Sequence, residues 1–327
     1  MGKSMKKALG VTFSFIILLF LLFPFFFLKE YNRFQNHLKS YSSKQAIHLV
    51  FAGDDGYITP LLTAFTSLSL NTKTPIHIHL LTNGFSPKNQ KLIENLDFKL
   101  KNIQITMTLI SNELFKAFPI NNRWNQSIYY RYLIPTLLTN TNKALYLDGD
   151  ILVFNDLSSF YHIDLNNKVI AGIQDYFEKK FLSRPLFQDL TLYINSGVLL
   201  IDIDKWKEKN ITQKLFEATA QYQDKIQYFD QDVINLVLKK DILPVSFKYN
   251  ALQGAYTPFN KTIYHYSGKQ KPWKTKKLDY YEWYKYFDYM QMILNDENWP
   301  VQSYLLYLIR KMLYYPSFIF KPKQNEA

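Results

Sequence analysis

The stretch that decides the fold is residues 144–154, Ala144-Leu145-Tyr146-Leu147-Asp148-Gly149-Asp150-Ile151-Leu152-Val153-Phe154. The apolar residues before the acidic tripeptide predict a buried strand that ends at Asp148. Because residues i and i+2 of a strand point to the same side, Asp148 and Asp150 can converge on one hard cation such as Mg²⁺ or Mn²⁺. The alternative is a polar turn between two strands, since Asp and Gly are common turn residues. The tripeptide alone leaves both interpretations open.

The composition is that of a basic, aromatic-rich globular protein. The chain has 327 residues, of which 47% are hydrophobic, enough for one large domain or two smaller ones. It has no cysteine, which excludes disulfides, thiolate metal sites and a cysteine nucleophile. The formal charge of +12 attracts phosphates of nucleic acid, anionic lipid or nucleotide-sugar. We expect no nucleic-acid partner, because no helix-turn-helix, zinc finger or RNP-like stretch is visible.

An apolar stretch near the N-terminus predicts a membrane anchor. Residues 8–28 carry no charge, and at ~1.5 Å per residue a helix of this length spans about 31 Å, close to the bilayer thickness. It is longer than the apolar core of a typical signal peptide, so we expect an uncleaved transmembrane helix. A short basic segment, residues 1–7, precedes it, and a polar stalk, residues 29–45, follows it. The basic residues on the two sides are too evenly balanced to set the orientation.

From residue 46 onward, predicted strands and helices alternate. Strands are expected at residues 46–51, 76–81, 103–110 and 144–147, and helices at residues 60–70, 87–96 and 127–138. Further on come an apolar run at residues 192–203 and helical segments at residues 206–222 and 233–238. The alternation predicts an α/β fold with a mostly parallel sheet, whose ligands bind at the carboxyl ends of the strands. Asp54, Asp55 and Asp148 follow strands, so we expect them to share one crevice.

The C-terminal residues 276–327 differ in composition from the rest. Seven of the ten residues from 280 to 289 are aromatic, and lysines are frequent. Residues 301–315 place their apolar side chains on one helical face. This predicts a helical aromatic and basic extension. It either lies against a membrane near a lipid-linked acceptor or packs on the catalytic domain as a cap.

Five motifs occur in a fixed order along the chain. They are Phe51-Ala52-Gly53-Asp54-Asp55-Gly56-Tyr57, Tyr129–Tyr132, Leu147–Asp150, Tyr193–Leu200, and a fifth in two parts, Phe229–Asp232 and His265–Trp273. Together they resemble the retaining glycosyltransferases of family 8, which have a GT-A fold, a Rossmann-like mixed sheet flanked by helices. Within that family the chain is most similar to bacterial lipopolysaccharide and lipooligosaccharide galactosyl- and glucosyltransferases. The resemblance covers residues 46–275, which we take as the catalytic domain.

The resemblance implies a binding site for a UDP-sugar. The residues that would bind this donor are Ala52, Asp54, Asp55, Tyr57, Gly268 and Lys271. A carboxylate such as that of Asp54 can accept a hydrogen bond from the uracil N–H, and an aromatic ring covers the face of the base. The alternative for this loop is a polar turn with Asp as a helix N-cap. Gly268 and Lys271 supply a close approach and a cation for the diphosphate.

The resemblance also implies a metal site made by Asp148, Asp150 and His265. Two oxygens and one nitrogen suit Mn²⁺ somewhat better than Mg²⁺. Arg131 would reach the donor sugar and phosphate, and its alternative is a surface ion pair. Asn195 would face the donor sugar, and the alternative there is a strand with a bulge at the glycine two residues on.

The resemblance implies that Gln231 lies beneath the anomeric carbon, with Asp230 next to it. An amide is a poor nucleophile, and Asp230 is expected to orient sugar hydroxyls. We therefore prefer front-face attack with retention to double displacement. The position after Asn195 is Ser196, where the family more commonly has alanine, a departure expected to have little effect on packing.

The resemblance implies a metal-dependent retaining transferase. It would move galactose or glucose from a UDP-sugar to a hydroxyl of a lipid-linked or surface glycan, such as the lipopolysaccharide core. The predicted location is the bacterial inner membrane, with the catalytic domain on the cytoplasmic face. The alternatives are an inactive UDP-sugar-binding membrane protein and a Golgi type II glycosyltransferase that acts on glycoproteins.

Overall fold

A computed structural model describes residues 46–295, except Tyr256, Pro258 and Lys276. The predicted transmembrane helix and the stalk lie outside the described residues, as do residues 1–7 and 296–327. Among the helices that are described, none has the length and apolar character needed to cross a bilayer.

The described residues contain strands, α-helices and short 3₁₀ segments in alternation. The strands are β1 Ile47–Ala52, β2 Ile76–Thr82, β3 Ile103–Leu109, β4 Lys143–Leu147, β5 Ile151–Val153, β6 Ile170–Gln174, β7 Ile194–Asp202, β8 Ile242–Pro244, β9 Ala251–Leu252 and β10 Ile263–His265. The α-helices are α1 Ile58–Asn71, α2 Pro87–Lys99, α3 Ile134–Leu137, α4 Ser158–Tyr161, α5 Glu178–Leu182, α6 Ile203–Glu208, α7 Ile211–Tyr222, α8 Phe229–Leu238 and α9 Tyr281–Asn295. The 3₁₀ segments are Asp55–Tyr57, Asn112–Phe115, Gln126–Leu133, Pro185–Phe187, Phe247–Tyr249 and Leu278–Tyr280.

The main sheet is mixed. Its strand order is β3-β2-β1-β4-β7-β6-β8, and the first four strands in this order are parallel. β7 runs antiparallel to both β4 and β6, whereas β8 is parallel to β6. The prediction of a mostly parallel sheet is therefore correct only for the first half of the fold, β1 to β4. A small second sheet, β5-β10-β9, lies beyond the end of β4.

Both faces of β1 are covered, which explains its almost continuous apolar sequence. On one face Phe51 packs edge-on against Phe65 of α1, with ring centroids 4.9 Å apart. On the other face Val50 belongs to a core cluster that includes Tyr129 and Tyr132 of the 3₁₀ segment Gln126–Leu133. The carboxyl end of β1 is thus held rigidly between two layers.

Two helices predicted as single units are broken in the structure. The segment predicted as a helix over residues 127–138 is a 3₁₀ segment followed by the short α3. Pro135 has no N–H to continue an α-helical ladder, so the prediction of one α-helix was wrong for a local reason. The second predicted helix divides into α6 and α7 at Asn210, whose φ of 52° is left-handed. Asn is among the residues that adopt this conformation most readily.

The described part of the C-terminal extension packs on the catalytic part. Asn71 of α1 donates a hydrogen bond to the Tyr286 hydroxyl of α9 at 2.7 Å. Trp283 and Tyr286 share a buried cluster with Leu152 of β5 and with Tyr266. Residues 277–295 therefore pack on the catalytic domain as a cap, one of the two arrangements predicted for the extension.

Candidate active site

The loops after β1 and β4 form one crevice. The two strands are parallel neighbours with Leu49 paired to Leu145, so their following loops emerge at the same edge of the sheet. Tyr57 lies between the loops, and a Cβ on Gly149 would lie 3.2 Å from its ring. Burial, followed by the charges of Asp150 and Asp148, raises the pKa of Tyr57 far above its ordinary value, so its hydroxyl stays protonated.

Two carboxylates and one imidazole converge at this edge. The ligand atoms of Asp148, Asp150 and His265 all lie within 4.8 Å of one another. His265 Nε2 lies 3.0 Å from Asp150 Oδ1 and 3.7 Å from Asp148 Oδ2. The antiparallel pairing of His265 in β10 with Ile151 in β5 brings the imidazole to the carboxylates. The sequence-predicted metal residues therefore form one cluster.

The imidazole of His265 is oriented by a buried amide. His265 Nδ1 lies 3.0 Å from Asn250 Oδ1, and an amide oxygen can only accept, so the contact assigns the proton to Nδ1. Nε2 is then the ring nitrogen that faces the two carboxylates. An outer hydrogen bond of this kind is the usual support of a metal-binding histidine. The sequence gives no signal for Asn250, because it lies in an irregular segment without a recognisable motif.

Lys271 lies against the same cluster. Its ammonium donates to Asp150 Oδ2 at 2.5 Å and to the Tyr266 carbonyl at 2.6 Å. Burial opposes the charged form of Asp150, but Lys271 and His265 outweigh it and lower the pKa of this carboxyl. Asp150 is therefore an anion at neutral pH. An ammonium has three N–H donors. Two of them bond to Asp150 and Tyr266 within the described residues, and the third can bond to a ligand.

Arg131 is buried rather than on the surface, with 3% of its area exposed. It donates to Asp148 Oδ1 at 2.9 Å and to the Ser196 carbonyl at 2.6 Å, and it lies 3.2 Å from Asp230 Oδ2. The surface ion pair is thereby ruled out. The guanidinium holds two carboxylates of the site in place, and its predicted contact with the donor stays a prediction.

Asp230, Gln231 and Asn195 meet beside this cluster. Asn195 Nδ2 donates to Gln231 Oε1 at 3.1 Å, and Ser196 Oγ donates to Asp230 Oδ2 at 3.0 Å. The serine is thus more than a neutral replacement for alanine, because its hydroxyl holds a carboxylate. Burial raises the pKa of Asp230 to about 6, against the opposing charge of Arg131.

Asp175 is a further carboxylate of the site that was not predicted from the sequence. It is 4% exposed, and its Oδ2 lies 3.4 Å from Asn195 Nδ2 and 3.5 Å from Gln231 Nε2. Burial raises its pKa. The available signal was its position directly after β6, the same position that Asp148 has after β4. The apolar residues 170–173 are followed by Gln174 and contain a glycine, so no strand was predicted there and Asp175 was not expected at the site.

Asp54 and Asp55, both predicted to bind the UDP-sugar, make different hydrogen bonds in the structure. Asp54 caps the 3₁₀ segment Asp55–Tyr57 through the Gly56 amide at 2.9 Å, and Asn125 also donates to it. Asp55 accepts from the Ser86 amide and from Asn89, both at 2.8 Å, at the start of α2. The Ser86 amide is the larger reason that the pKa of Asp55 is lowered. The N-cap alternative therefore describes Asp54, and the carboxylate of Asp55 serves a structural bond.

The other two predicted donor residues are Ala52 and Gly268. Ala52 ends β1 and packs, partly buried, against the main core. The Gly268 amide donates to Gln253 Oε1 at 3.1 Å, and a Cβ there would lie 2.5 Å from the same oxygen. The absence of a side chain at Gly268 thus lets another group approach its backbone closely. In this structure that group is the flexible side chain of Gln253.

A bulge in β7 shapes the floor of the site. Along β6, Gly172 pairs with Leu199 and the next residue, Ile173, pairs with Asn195. Residues 196–198 are therefore extra on the β7 side. The bulge predicted as an alternative at Gly197 is present, and it brings the backbone of this glycine against the cluster. A Cβ on Gly197 would lie 2.4 Å from His265 Cε1 and 2.5 Å from Asp148 Oδ2.

We expect Gly197→Ala to damage metal binding selectively. The added methyl group must displace His265 or Asp148, so the Mn²⁺ affinity should fall roughly 10- to 100-fold, the range seen when the support of a metal ligand is lost. Titration calorimetry with Mn²⁺ measures this effect. Gly84→Ala is the matched control: its Cβ meets open space, and its φ of 124° strains the backbone away from the site. An unchanged Mn²⁺ affinity in Gly197→Ala would contradict the assignment of the cluster.

The fold and the site define a sugar-transferring enzyme of the GT-A class. The sequence matches Glycosyl transferase family 8 over residues 48–277. The chain belongs to this family, which confirms the resemblance predicted from the five motifs, and it is a glycosyltransferase.

Curated relatives match most of the chain. The lipopolysaccharide 1,2-glucosyltransferase of Escherichia coli is 26% identical over 307 residues, which cover 86% of this chain and 87% of the relative. General stress protein A of Bacillus subtilis is 25% identical over 269 residues, with coverages of 75% and 93%. Among solved structures, the galactosyltransferase LgtC in complex with donor and acceptor sugar analogs has 26% identity and a TM-score of 0.66. The match covers 78% of this chain and 98% of LgtC.

Proposed function

We propose that this chain is a metal-dependent, retaining hexosyltransferase. It moves galactose or glucose from a UDP-sugar to a hydroxyl of a lipid-linked or surface glycan such as the lipopolysaccharide core. The observation that carries the proposal is the convergence of Asp148, Asp150 and His265 within 4.8 Å beside the ammonium of Lys271. The three side chains could bind a divalent cation, and the neighbouring ammonium could pair with a departing diphosphate. Two relatives are named as a lipopolysaccharide 1,2-glucosyltransferase and a lipopolysaccharide 1,3-galactosyltransferase, which supports the acceptor class.

The donor set suits a divalent cation. Two carboxylate oxygens and one neutral imidazole nitrogen favour Mn²⁺, with Mg²⁺ as the second choice. The glycine at position 197 leaves room beside His265 and Asp148 that a side chain would fill. A bound dication would supply Lewis-acid stabilisation of the negative charge on the UDP leaving group.

The residues around the ion have separable roles. Lys271 offers its remaining N–H to a phosphate oxygen, which adds a second positive charge where the leaving group develops its own. Arg131 fixes the carboxylates of Asp148 and Asp230. Gln231 presents an amide beneath the sugar, and with no stronger nucleophile at that position front-face attack is preferred. Asn195 and Asp230 hold sugar hydroxyls and thereby orient the donor.

The acceptor has a candidate position next to Asp175. A cavity of about 330 Å³ lies there, and its lining includes Tyr176, Phe177 and Phe247. These rings are 53%, 50% and 45% exposed. Exposed aromatic faces beside a carboxylate suit the apolar face and the hydroxyl edge of a sugar. We therefore propose that the acceptor binds on the Gln231 side of the cluster.

We extend the proposal to the location of the enzyme. The apolar residues 8–28 and the bacterial relatives support a single anchor in the inner membrane, with the catalytic part on the cytoplasmic face, where UDP-sugars are made. The Golgi type II alternative would put the catalytic part on the opposite side of a membrane. A topology reporter fused to the C-terminus distinguishes the two: cytoplasmic activity supports the proposal, and export contradicts it.

Donor turnover is the direct test of the function. The full chain in detergent is incubated with UDP-galactose, UDP-glucose, UDP-N-acetylglucosamine and GDP-mannose, with Mn²⁺ or with EDTA, and nucleotide release is measured. We expect turnover of UDP-galactose or UDP-glucose that EDTA abolishes and Mn²⁺ restores. NMR of the product should show the anomeric configuration of the donor. Turnover that is unaffected by EDTA contradicts metal dependence, and an inverted product contradicts retention.

A further inference from the structure

Three histidines form a cluster on the first two strands, separate from the active site. His48 lies in β1, and His77 and His79 lie in β2. The register pairs His48 with His77 and Val50 with His79, so alternation puts all three imidazoles on one face of the sheet. His48 precedes the end of β1 by four residues, which is about 13 Å along a strand. The cluster is thus set back from the edge that carries Asp54.

The ligand nitrogens of the cluster are close enough to share one ion. One ring nitrogen from each histidine lies within 4.8 Å of the others, and His48 Nδ1 lies 3.0 Å from His79 Nε2. Zinc–nitrogen bonds of ~2.0–2.1 Å in a tetrahedral site separate two ligand nitrogens by about 3.4 Å. The observed spacing therefore needs only small side-chain movements to accept an ion.

The surroundings support ligand chemistry as well. The Thr106 hydroxyl of β3 lies 2.9 Å from His77 Nε2, the kind of outer contact that orients a ligating imidazole. The rings of His77 and His79 are stacked with centroids 4.1 Å apart. All three side chains are half-buried, so the cluster is held in place and still reached by solvent. Burial, then the neighbouring His77 and His48, lowers the pKa of His79 to about 3, which leaves it neutral at pH 7.

We propose that His48, His77 and His79 form a second metal site that takes a borderline transition-metal ion, Zn²⁺ in particular. Three neutral imidazoles suit Zn²⁺, Cu²⁺ or Ni²⁺, whereas the active-site carboxylates suit Mn²⁺ or Mg²⁺. The two sites thus differ in the ions they select. An ion on the cluster links β1 to β2 and stabilises the strand that leads into the Asp54 loop.

The competing description of the cluster is a hydrogen-bonded stack of imidazoles with no ion. Metal stoichiometry separates the two descriptions. We expect the full chain to bind Zn²⁺ on the cluster in the presence of saturating Mg²⁺. The bound Zn²⁺ should raise the Tm by at least ~3 °C at concentrations well above its Kd.

The test compares three variants with the unchanged chain by metal analysis and thermal unfolding. His48→Gln/His79→Gln should lose one equivalent of Zn²⁺ and the Zn²⁺-dependent rise in Tm, yet keep Mn²⁺-dependent turnover. His162→Gln is the matched control, because its imidazole is exposed and lies outside the cluster. Equal Zn²⁺ binding and an equal rise in Tm in the double variant and the unchanged chain would overturn the proposal.

The third variant keeps the test independent of whether the double variant folds. His265→Gln removes the imidazole of the active site and leaves the cluster intact. With Co²⁺ in place of Zn²⁺, this variant should show the visible absorption of a tetrahedral nitrogen site. If it shows none, the cluster is a stack without an ion. The Zn²⁺ result does not depend on the proposed transferase reaction, since it is read without a sugar donor.

Discussion

Asp150→Asn should lower kcat/KM for UDP-sugar turnover by roughly 10³-fold, which corresponds to ~4 kcal/mol of transition-state stabilisation. The substitution keeps the shape of the side chain and removes one anionic ligand from the cluster. It also leaves the buried ammonium of Lys271 without the carboxylate that accepts its 2.5 Å hydrogen bond. Turnover and Mn²⁺ affinity should therefore fall together, and the Tm should fall with them.

The control for this change is Asp224→Asn. Asp224 is an exposed carboxylate on the loop after α7, so the same chemical change there should leave turnover and Mn²⁺ affinity as they were. Titration calorimetry on folded protein separates lost metal binding from lost folding. Turnover by Asp150→Asn within about tenfold of the unchanged chain would contradict a metal clamp at this position.

The parts of the site that follow from local sequence were predictable. An acidic residue within two positions of the end of an apolar run marks the carboxyl end of a strand, which predicts Asp54 and Asp148 at one edge of a parallel sheet without any knowledge of long-range contacts. The motif frame around His265 and Lys271 pointed to the same site. The reason these residues meet is the pairing of β10 with β5, which no periodicity in the sequence reveals.

What could not be predicted depends on burial and on register. Arg131 could be an exposed residue or a buried one until Tyr129 and Tyr132 are seen packing into the core on either side of it. Asn250 orients the histidine from a segment with no pattern. The bulge in β7 lies in its pairing with β6, which passes from Leu199 directly to Asn195, whereas β4 pairs with residues 198–202 without a break. Sequence periodicity describes one strand at a time, so it does not show where the pairing between two strands is interrupted.

Arg131→Met should destabilise the protein by about 3–5 kcal/mol, because it removes the buried cation that pairs with the buried carboxylate of Asp230 and the half-buried one of Asp148. Methionine fills a similar volume, so the main loss is electrostatic. Asp148 and Asp230 then lose the guanidinium that both contact, whereas Asp150 keeps its bond to the ammonium of Lys271. A dication should partly replace the missing charge, so we expect Mn²⁺ to raise the Tm of this variant more than it raises that of the unchanged chain. Turnover should fall roughly 10²-fold or more because the carboxylates are no longer fixed.

Arg184→Met is the matched comparison. Arg184 also pairs with a buried carboxylate, donating to Asp232 Oδ2 at 2.9 Å, and Asp232 is fully buried. The loss of that pair should cost a similar free energy of unfolding. Asp232 is not one of the three metal-cluster residues, however, so the increase in Tm with Mn²⁺ should equal that of the unchanged chain. In both variants the fall in the free energy of unfolding reports the loss of an ion pair. A larger Mn²⁺-dependent rise in Tm is expected only where the lost arginine contacts the metal cluster. Equal responses in the two variants would show that Arg131 stabilises the fold without acting on the metal site.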